Sequence, residues 1–126
     1  MKKSDDNTTF QELKDLVEKF GADRNWQRHH SPKNLAMNIA IEAAELMELF
    51  VWEREGDPDS IEVEDEVADV LFNLLNFVHV QKIDLSTAFL RKYQKLLKKY
   101  PAEKFKQSDD LTYYRQVKKA YRKRKK

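Results

Sequence analysis

Four acidic residues dominate the chemistry this chain can do: Glu42 and Glu45, then Glu66 and Asp69, each pair at three-residue spacing inside an otherwise apolar stretch. Residues i and i+3 share a helix face, so each pair aims two carboxylates in one direction. Two such helices side by side bring four carboxylates to one place. At neutral pH that cluster repels itself unless a cation joins it, and hard oxygen ligands suit Mg²⁺, with Mn²⁺ as the alternative. The expectation is a Mg²⁺ site made by two neighbouring helices.

The spacing continues beyond the acids. Glu42, Glu45, Leu49 and Trp52 lie on one stripe, and Glu66, Asp69, Asn73 and Asn76 repeat its offsets. Each stripe runs from paired carboxylates to groups that can contact a ligand, an indole on one and two amides on the other. A divalent ion at the carboxylates binds phosphate oxygens, while an aromatic face stacks on a base. Trp52, Asn73 and Asn76 are therefore candidate contacts to a nucleotide whose phosphates sit on the metal. Acids at this spacing more often lie on a solvated face; two pairs on adjacent apolar helices favour the metal. Glu48, Glu53 and Glu55 read as solvated, with Glu48 close enough to act from outside the ligand set. Glu62 and Glu64 favour the dipole at a helix start.

The elements that must position these residues are helical. The 126 residues suffice for one domain, and two glycines with three prolines favour an all-α, four-helix-bundle-like fold. Thr9-Phe-Gln-Glu12 has the form of a capping box opening a first helix, whose apolar positions are Phe10, Leu13, Leu16, Val17 and Phe20. Gly21 suggests an early end or a kink. Ser31-Pro32 starts a second helix running to about Glu55, with a spine of Leu35, Ile39, Ala43, Leu46 and Phe50, and Gly56-Asp57-Pro58 stops it. A third helix starts near Asp59 or Ser60. Its β-branched content suggests a strand, but its length and i, i+3, i+4 pattern decide for helix. Asp84 caps a fourth helix that stops before Pro101, and Leu111 to about Tyr121 forms a last amphipathic piece leading into a frayed or disordered basic end. The organisation read here is a flexible N-terminus over 1–8, a helical domain over 9–106 and a basic C-terminal helix or tail over 107–126.

Composition excludes some chemistry. The chain has no cysteine, so it makes neither disulfides nor thiolate metal sites. No apolar run of membrane-spanning length occurs, and MKKSDDNTTF lacks the apolar core of a secretory signal, so a cytoplasmic protein is expected. The net charge of +2 hides a segregation: twelve acids against Arg54 alone between Ile39 and Asp69, then fifteen bases against three acids from Arg91 onward. An acidic centre suits cations; a basic end suits phosphates, nucleic acid or an acidic partner.

Ile41-Glu-Ala-Ala-Glu-Leu-Met-Glu-Leu-Phe-Val-Trp52 followed by Asp65-Glu-Val-Ala-Asp-Val-Leu71 resembles the E-x-x-E…E-x-x-D signature of the MazG-like nucleoside triphosphate pyrophosphohydrolases. The resemblance is closest to the branch containing dCTP pyrophosphatase. Asn25-Trp-Gln-Arg-His-His-Ser-Pro-Lys-Asn-Leu35 resembles that branch's entry into its metal-binding helix, and Lys98-Lys-Tyr-Pro101 its closing element. The resemblance implies cleavage of a (d)NTP between its α- and β-phosphates, giving a monophosphate and pyrophosphate. It implies Mg²⁺ on Glu42, Glu45, Glu66 and Asp69, with Glu45 as a candidate acceptor of the water's proton. It implies a homodimer or homotetramer whose sites draw on more than one subunit. Trp26 and Trp52 match base-contacting tryptophans, and Lys33 with Asn34 matches a basic-Asn pair, making Lys33 a candidate phosphate contact.

The departures concern recognition. Leu96 stands where the branch has Asn, Asn73 where it has Tyr, and Val17 near an early histidine. The expected function is Mg²⁺-dependent (d)NTP pyrophosphohydrolysis acting on dCTP or a modified deoxynucleotide. The alternatives are a phosphoribosyl-ATP-type pyrophosphohydrolase and a non-enzymatic helical module that binds nucleic acid or an acidic partner. Contact with nucleic acid is expected only through the basic tail. His29 and His30 read as loop histidines or phosphate contacts, and His79 as a core or interface residue.

Overall fold

A computed structural model describes residues 1–51, 59–106 and 111–125. Among these residues there are five α-helices: α1 Phe10–Asp23, α2 Pro32–Val51, α3 Ser60–Val80, α4 Leu85–Lys99 and α5 Thr112–Lys125. Single 3-10 turns lie at Gln27–His29 and Ala102–Lys104, and there is no strand among the described residues. The fold of the described residues is all-α. By its internal contacts the chain divides into two compact units, residues 1–85 and 86–126.

The first unit holds α1, α2 and α3. The capping box forms: Glu12 N–H donates to Thr9 Oγ1 at 3.1 Å, and Thr9 N–H donates to Glu12 Oε2 at 2.7 Å. The first eight residues fold back on α1, where Lys3 Nζ meets Glu12 Oε1 at 2.8 Å and a turn closes between Ser4 and Asn7. Ser31 Oγ accepts from Asn34 N–H at the start of α2, and Asp59 Oδ1 accepts from Ile61 N–H at the start of α3. Val17, Leu75 and Val78 form the buried core where α1 crosses α3, ringed by Leu13, Leu71, Phe72, Leu74, Phe77, Ile83 and Leu85.

Gly21 does not end α1, which continues to Asp23. A Cβ at position 21 would stand 3.4 Å from His30 Cε1. That is an ordinary van der Waals distance, so the position has room for a small side chain.

Helices α1 and α3 end in the same way. Trp26 N–H donates to Gly21 O and Asn25 N–H to Ala22 O; Ile83 N–H donates to Val78 O and Lys82 N–H to His79 O. Each pair is a Schellman closure, with Asn25 (φ 56°) and Lys82 (φ 55°) in the left-handed conformation. The apolar residue after each closure packs back, Trp26 edge-on to Phe20 at 5.6 Å and Ile83 into the core.

The spine of α2 differs from the one expected. The covered positions are Leu35, Ile39, Glu42, Leu46 and Leu49, whereas Ala43 and Phe50 are exposed. In the second unit, α4 ends before Pro101 and α5 continues to Lys125 through the basic segment expected to fray. Lysine and arginine are good helix formers, and no glycine or proline interrupts them.

Lys82→Gly should raise stability, because a side chain in the left-handed region is strained by roughly 1 kcal/mol. Chemical denaturation checks this, with the midpoint moving up and the slope unchanged.

Candidate metal and nucleotide site

Helices α2 and α3 make the most extensive helix pairing in the first unit. The covered positions of α2 step by four and three residues through Leu35, Ile39, Glu42, Leu46 and Leu49; those of α3 include Val63, Glu66, Val70, Asn73 and Phe77. This is the rhythm of an apolar packing stripe. Glu42 and Glu66 therefore occupy half-buried positions where the pattern calls for leucine or valine. Glu45 and Asp69, three residues further along, are exposed.

One carboxylate oxygen from each of Glu42, Glu45 and Glu66 lies within 4.8 Å of the other two. Asp69 stands outside this triple, yet its charge bears on both Glu42 and Glu66. Burial first, then a hydrogen bond with Glu45 and the charges of Glu45, Asp69 and Glu66, push the Glu42 carboxyl above the usual range. Glu66 is raised likewise, by burial and then by Glu45, Asp69, Asp65 and Glu48. Glu66 Oε2 is buried without a hydrogen-bond partner in the described structure. A buried acceptor lacking a donor costs free energy, and a cation satisfies it. Carboxylate oxygens at this spacing, with one such orphan, fit a hard divalent ion.

The other candidates are arranged around α3. Trp26 is 48% exposed. Its edge contact to Phe20 continues to Phe72, 5.4 Å from Phe20, so a chain of rings links Trp26 to the residue before Asn73. Arg24 lies over Phe20 at 3.7 Å and helps hold that chain. Asn73 Nδ2 donates to the Asp69 carbonyl at 3.0 Å, which turns its amide back on its own helix. Asn76 is buried and borders a cleft of about 590 Å³ between α1, the Gln27–His29 turn and the end of α3. Lys33 is exposed in the first turn of α2. Trp52 lies outside the described residues.

Two contributors, Asp65 and Gln27, have no role in the sequence reading. Asp65 adds its charge to Glu66; the acidic run Glu64-Asp65-Glu66 was the available signal. Gln27 borders the cleft, and so does His30, which the sequence reads as a loop histidine or a phosphate contact. Asn34 has a structural role, donating to His29 O at 3.1 Å and tying the 3-10 turn to α2. His79 faces Glu18 at 3.7 Å on the cleft rim and is 38% exposed, so it is not a core residue.

Residues 30–103 match the MazG nucleotide pyrophosphohydrolase domain. The chain belongs to the MazG nucleotide pyrophosphohydrolase domain family. It is 31% identical over 102 residues to dCTP pyrophosphatase 1 of Homo sapiens, covering 75% of this chain and 60% of that protein. With dCTP pyrophosphatase 1 of Bos taurus the identity is 29% over 101 residues, covering 74% and 60%. The chain thus spans about 60% of the length of these curated relatives. A solved pyrophosphatase from Archaeoglobus fulgidus DSM 4304 superposes with a TM-score of 0.69 at 40% identity, covering 79% of this chain and 99% of that one.

The raised carboxyls have a defined pH consequence. A carboxyl whose folded pKa is raised contributes stability that is full below its unfolded value, 4.5, and lost as pH rises through the folded value. Glu12, pulled down to about 2 first by its hydrogen bond from Lys3, acts in the opposite window, its contribution being lost as pH falls below 4.5. In EDTA, melting temperature should therefore fall as pH rises from about 5 to 7.5, and millimolar Mg²⁺ should remove most of that fall. Glu66→Gln should flatten the EDTA profile. Thermal melts across this range check all three results.

Proposed function

We propose that this protein is a Mg²⁺-dependent nucleoside triphosphate pyrophosphohydrolase acting on dCTP or a modified deoxynucleotide. The observation that carries the reading is the carboxylate triple of α2 and α3, with a buried acceptor lacking a donor, in a chain of this family. The names of the relatives support the choice of substrate.

Glu42, Glu45, Glu66 and Asp69 would hold the ion, with Mn²⁺ as a substitute. When bound, such an ion neutralises phosphate charge and lowers the pKa of water. Glu42 and Glu66 are fixed in the helix seam and supply positioned ligands. Glu45, exposed and adjacent to both, is the carboxylate open to a water, and we assign it the water's proton. The water oxygen bonds to phosphorus, the bridging P–O bond between the α- and β-phosphates breaks, and a monophosphate and pyrophosphate leave. Asp69 and Asn76 are seven residues apart on one face of α3, roughly 10 Å along the axis. That length suits a nucleotide with its phosphates at the acids and its base toward the cleft bordered by Asn76. Trp26 offers a half-exposed ring for stacking, Trp52 is a second candidate, and Lys33 is the candidate phosphate contact. Asn73 acts through Asp69, whose carbonyl it holds.

We take residues 9–106 as the catalytic domain and 107–126 as a basic extension. A homo-oligomer is part of the proposal. Met37, Ile41, Met47, Phe50, Ile61 and Val67 are each at least half exposed on α2 and α3, and surfaces of this kind mark protein interfaces. No described helix is long and apolar enough to cross a membrane, and we place the protein in the cytoplasm. Contact with nucleic acid belongs to the basic extension and not to the carboxylate site.

Pyrophosphate release from a panel of standard and modified NTPs and dNTPs with Mg²⁺ tests the reading. Activity should be abolished by EDTA and reduced by Glu45→Ala by roughly two to four orders of magnitude. No release from any substrate by the folded protein overturns the proposal.

A further inference from the structure

Helix α5 lies beyond residues 30–103, the span that matches the family. Its sequence, Thr-Tyr-Tyr-Arg-Gln-Val-Lys-Lys-Ala-Tyr-Arg-Lys-Arg-Lys, sorts onto two faces. Tyr113, Tyr114, Val117 and Tyr121 recur at helical spacing and are half-buried. Tyr114 stacks on Tyr100 at 5.2 Å, Tyr113 packs against Phe105 at 5.1 Å, and Lys99 Nζ of α4 stands 3.8 Å over the Tyr121 ring. The aromatic face is therefore occupied within residues 86–126, and it anchors the helix.

The remaining face is cationic. Arg115, Lys118, Lys119, Arg122 and Lys123 surround one shallow surface depression. All are exposed except Lys118, whose Nζ lies 3.4 Å from the Tyr114 hydroxyl. Their offsets of i+3, i+4, i+7 and i+8 keep them on one side over eight residues, roughly 12 Å of axis. Duplex nucleic acid carries one charge per about 1.7 Å, so the same length offers roughly seven phosphates. Five cations at this density, held by a helix already packed, match a phosphate backbone with little ordering cost. A membrane surface fits less well, because interfacial helices need an apolar face to insert, and the aromatic side of α5 is already engaged.

We propose that the outer face of α5 binds the phosphate backbone of duplex nucleic acid without sequence preference. The surface uses none of the carboxylate-site residues, so the inference stands apart from the pyrophosphohydrolase reading.

The test is fluorescence anisotropy of the full chain with a labelled DNA duplex of about 20 base pairs, at KCl from about 50 to 200 mM. About four released counterions should make affinity fall by roughly two orders of magnitude across that range. Arg115→Gln, Lys119→Gln, Arg122→Gln and Lys123→Gln combined should weaken binding at least about tenfold at low salt and reduce the salt slope by about three. Far-UV circular dichroism should be unchanged, since all four side chains are exposed. The double variant Arg115→Lys with Arg122→Lys keeps the charge and should bind like the parent. Failure of the parent protein to bind duplex at low salt overturns the proposal. So does an unaltered salt slope in the quadruple variant, or displacement of the duplex by polyglutamate at equal charge concentration, which would assign the face to an acidic protein.

Discussion

Two carboxylates placed in a helix seam constrain everything else in the first unit. Glu42 and Glu66 take positions that the packing rhythm of α2 and α3 reserves for apolar side chains. Their burial raises the free energy of the charged forms, and Glu45 and Asp69 add repulsion. A seam of leucines would be more stable. Under the proposed function a divalent ion would supply the missing counter-charge, and the seam would fix Glu42 and Glu66 as its ligands.

The surroundings follow from that choice. Because α3 carries two of the acids, its orientation has to be set by contacts outside the acidic seam. The core of Val17, Leu75 and Val78 does this from α1, on the far half of α3. The two Schellman closures tie off α1 and α3 and turn Trp26 and Ile83 inward. Trp26 thus has a structural reason for its position and still leaves half its surface open to a ligand. Asn34 ties the turn between α1 and α2 to the start of α2. The segment between α1 and α2 is in this way fixed beside the cleft bordered by Asn76.

Much of this was legible in the sequence, for stated reasons. The capping box at Thr9, the Ser31-Pro32 start and the helix start near Asp59 are local chemistry, and the structure shows each of them. The i, i+3 acid pairs depend only on helical periodicity, so placing them on helix faces needed no tertiary knowledge. Their half-burial was not legible, because it depends on which stripe of α2 meets α3. The expected spine included Ala43 and Phe50, whereas the covered stripe includes Glu42 and Leu49. A sequence reader assigns apolar residues to the seam and acids to water; here the site reverses that assignment. The early end suggested by Gly21 does not occur, because the closure that ends α1 is made further on, by the N–H groups of Asn25 and Trp26. The helical end of α5 was missed because a run of bases resembles a tail until its aromatic partners are seen.

The central claim is that the seam carboxylates hold a divalent ion. Titration of the protein with Mn²⁺, followed by the loss of the free-ion electron paramagnetic resonance signal, tests it most directly. The account predicts saturable binding by the parent protein, competed by Mg²⁺, and a loss of affinity of roughly tenfold or more in Glu42→Gln and Glu66→Gln. Equal Mn²⁺ binding by the parent and both variants, with all three folded, would contradict it.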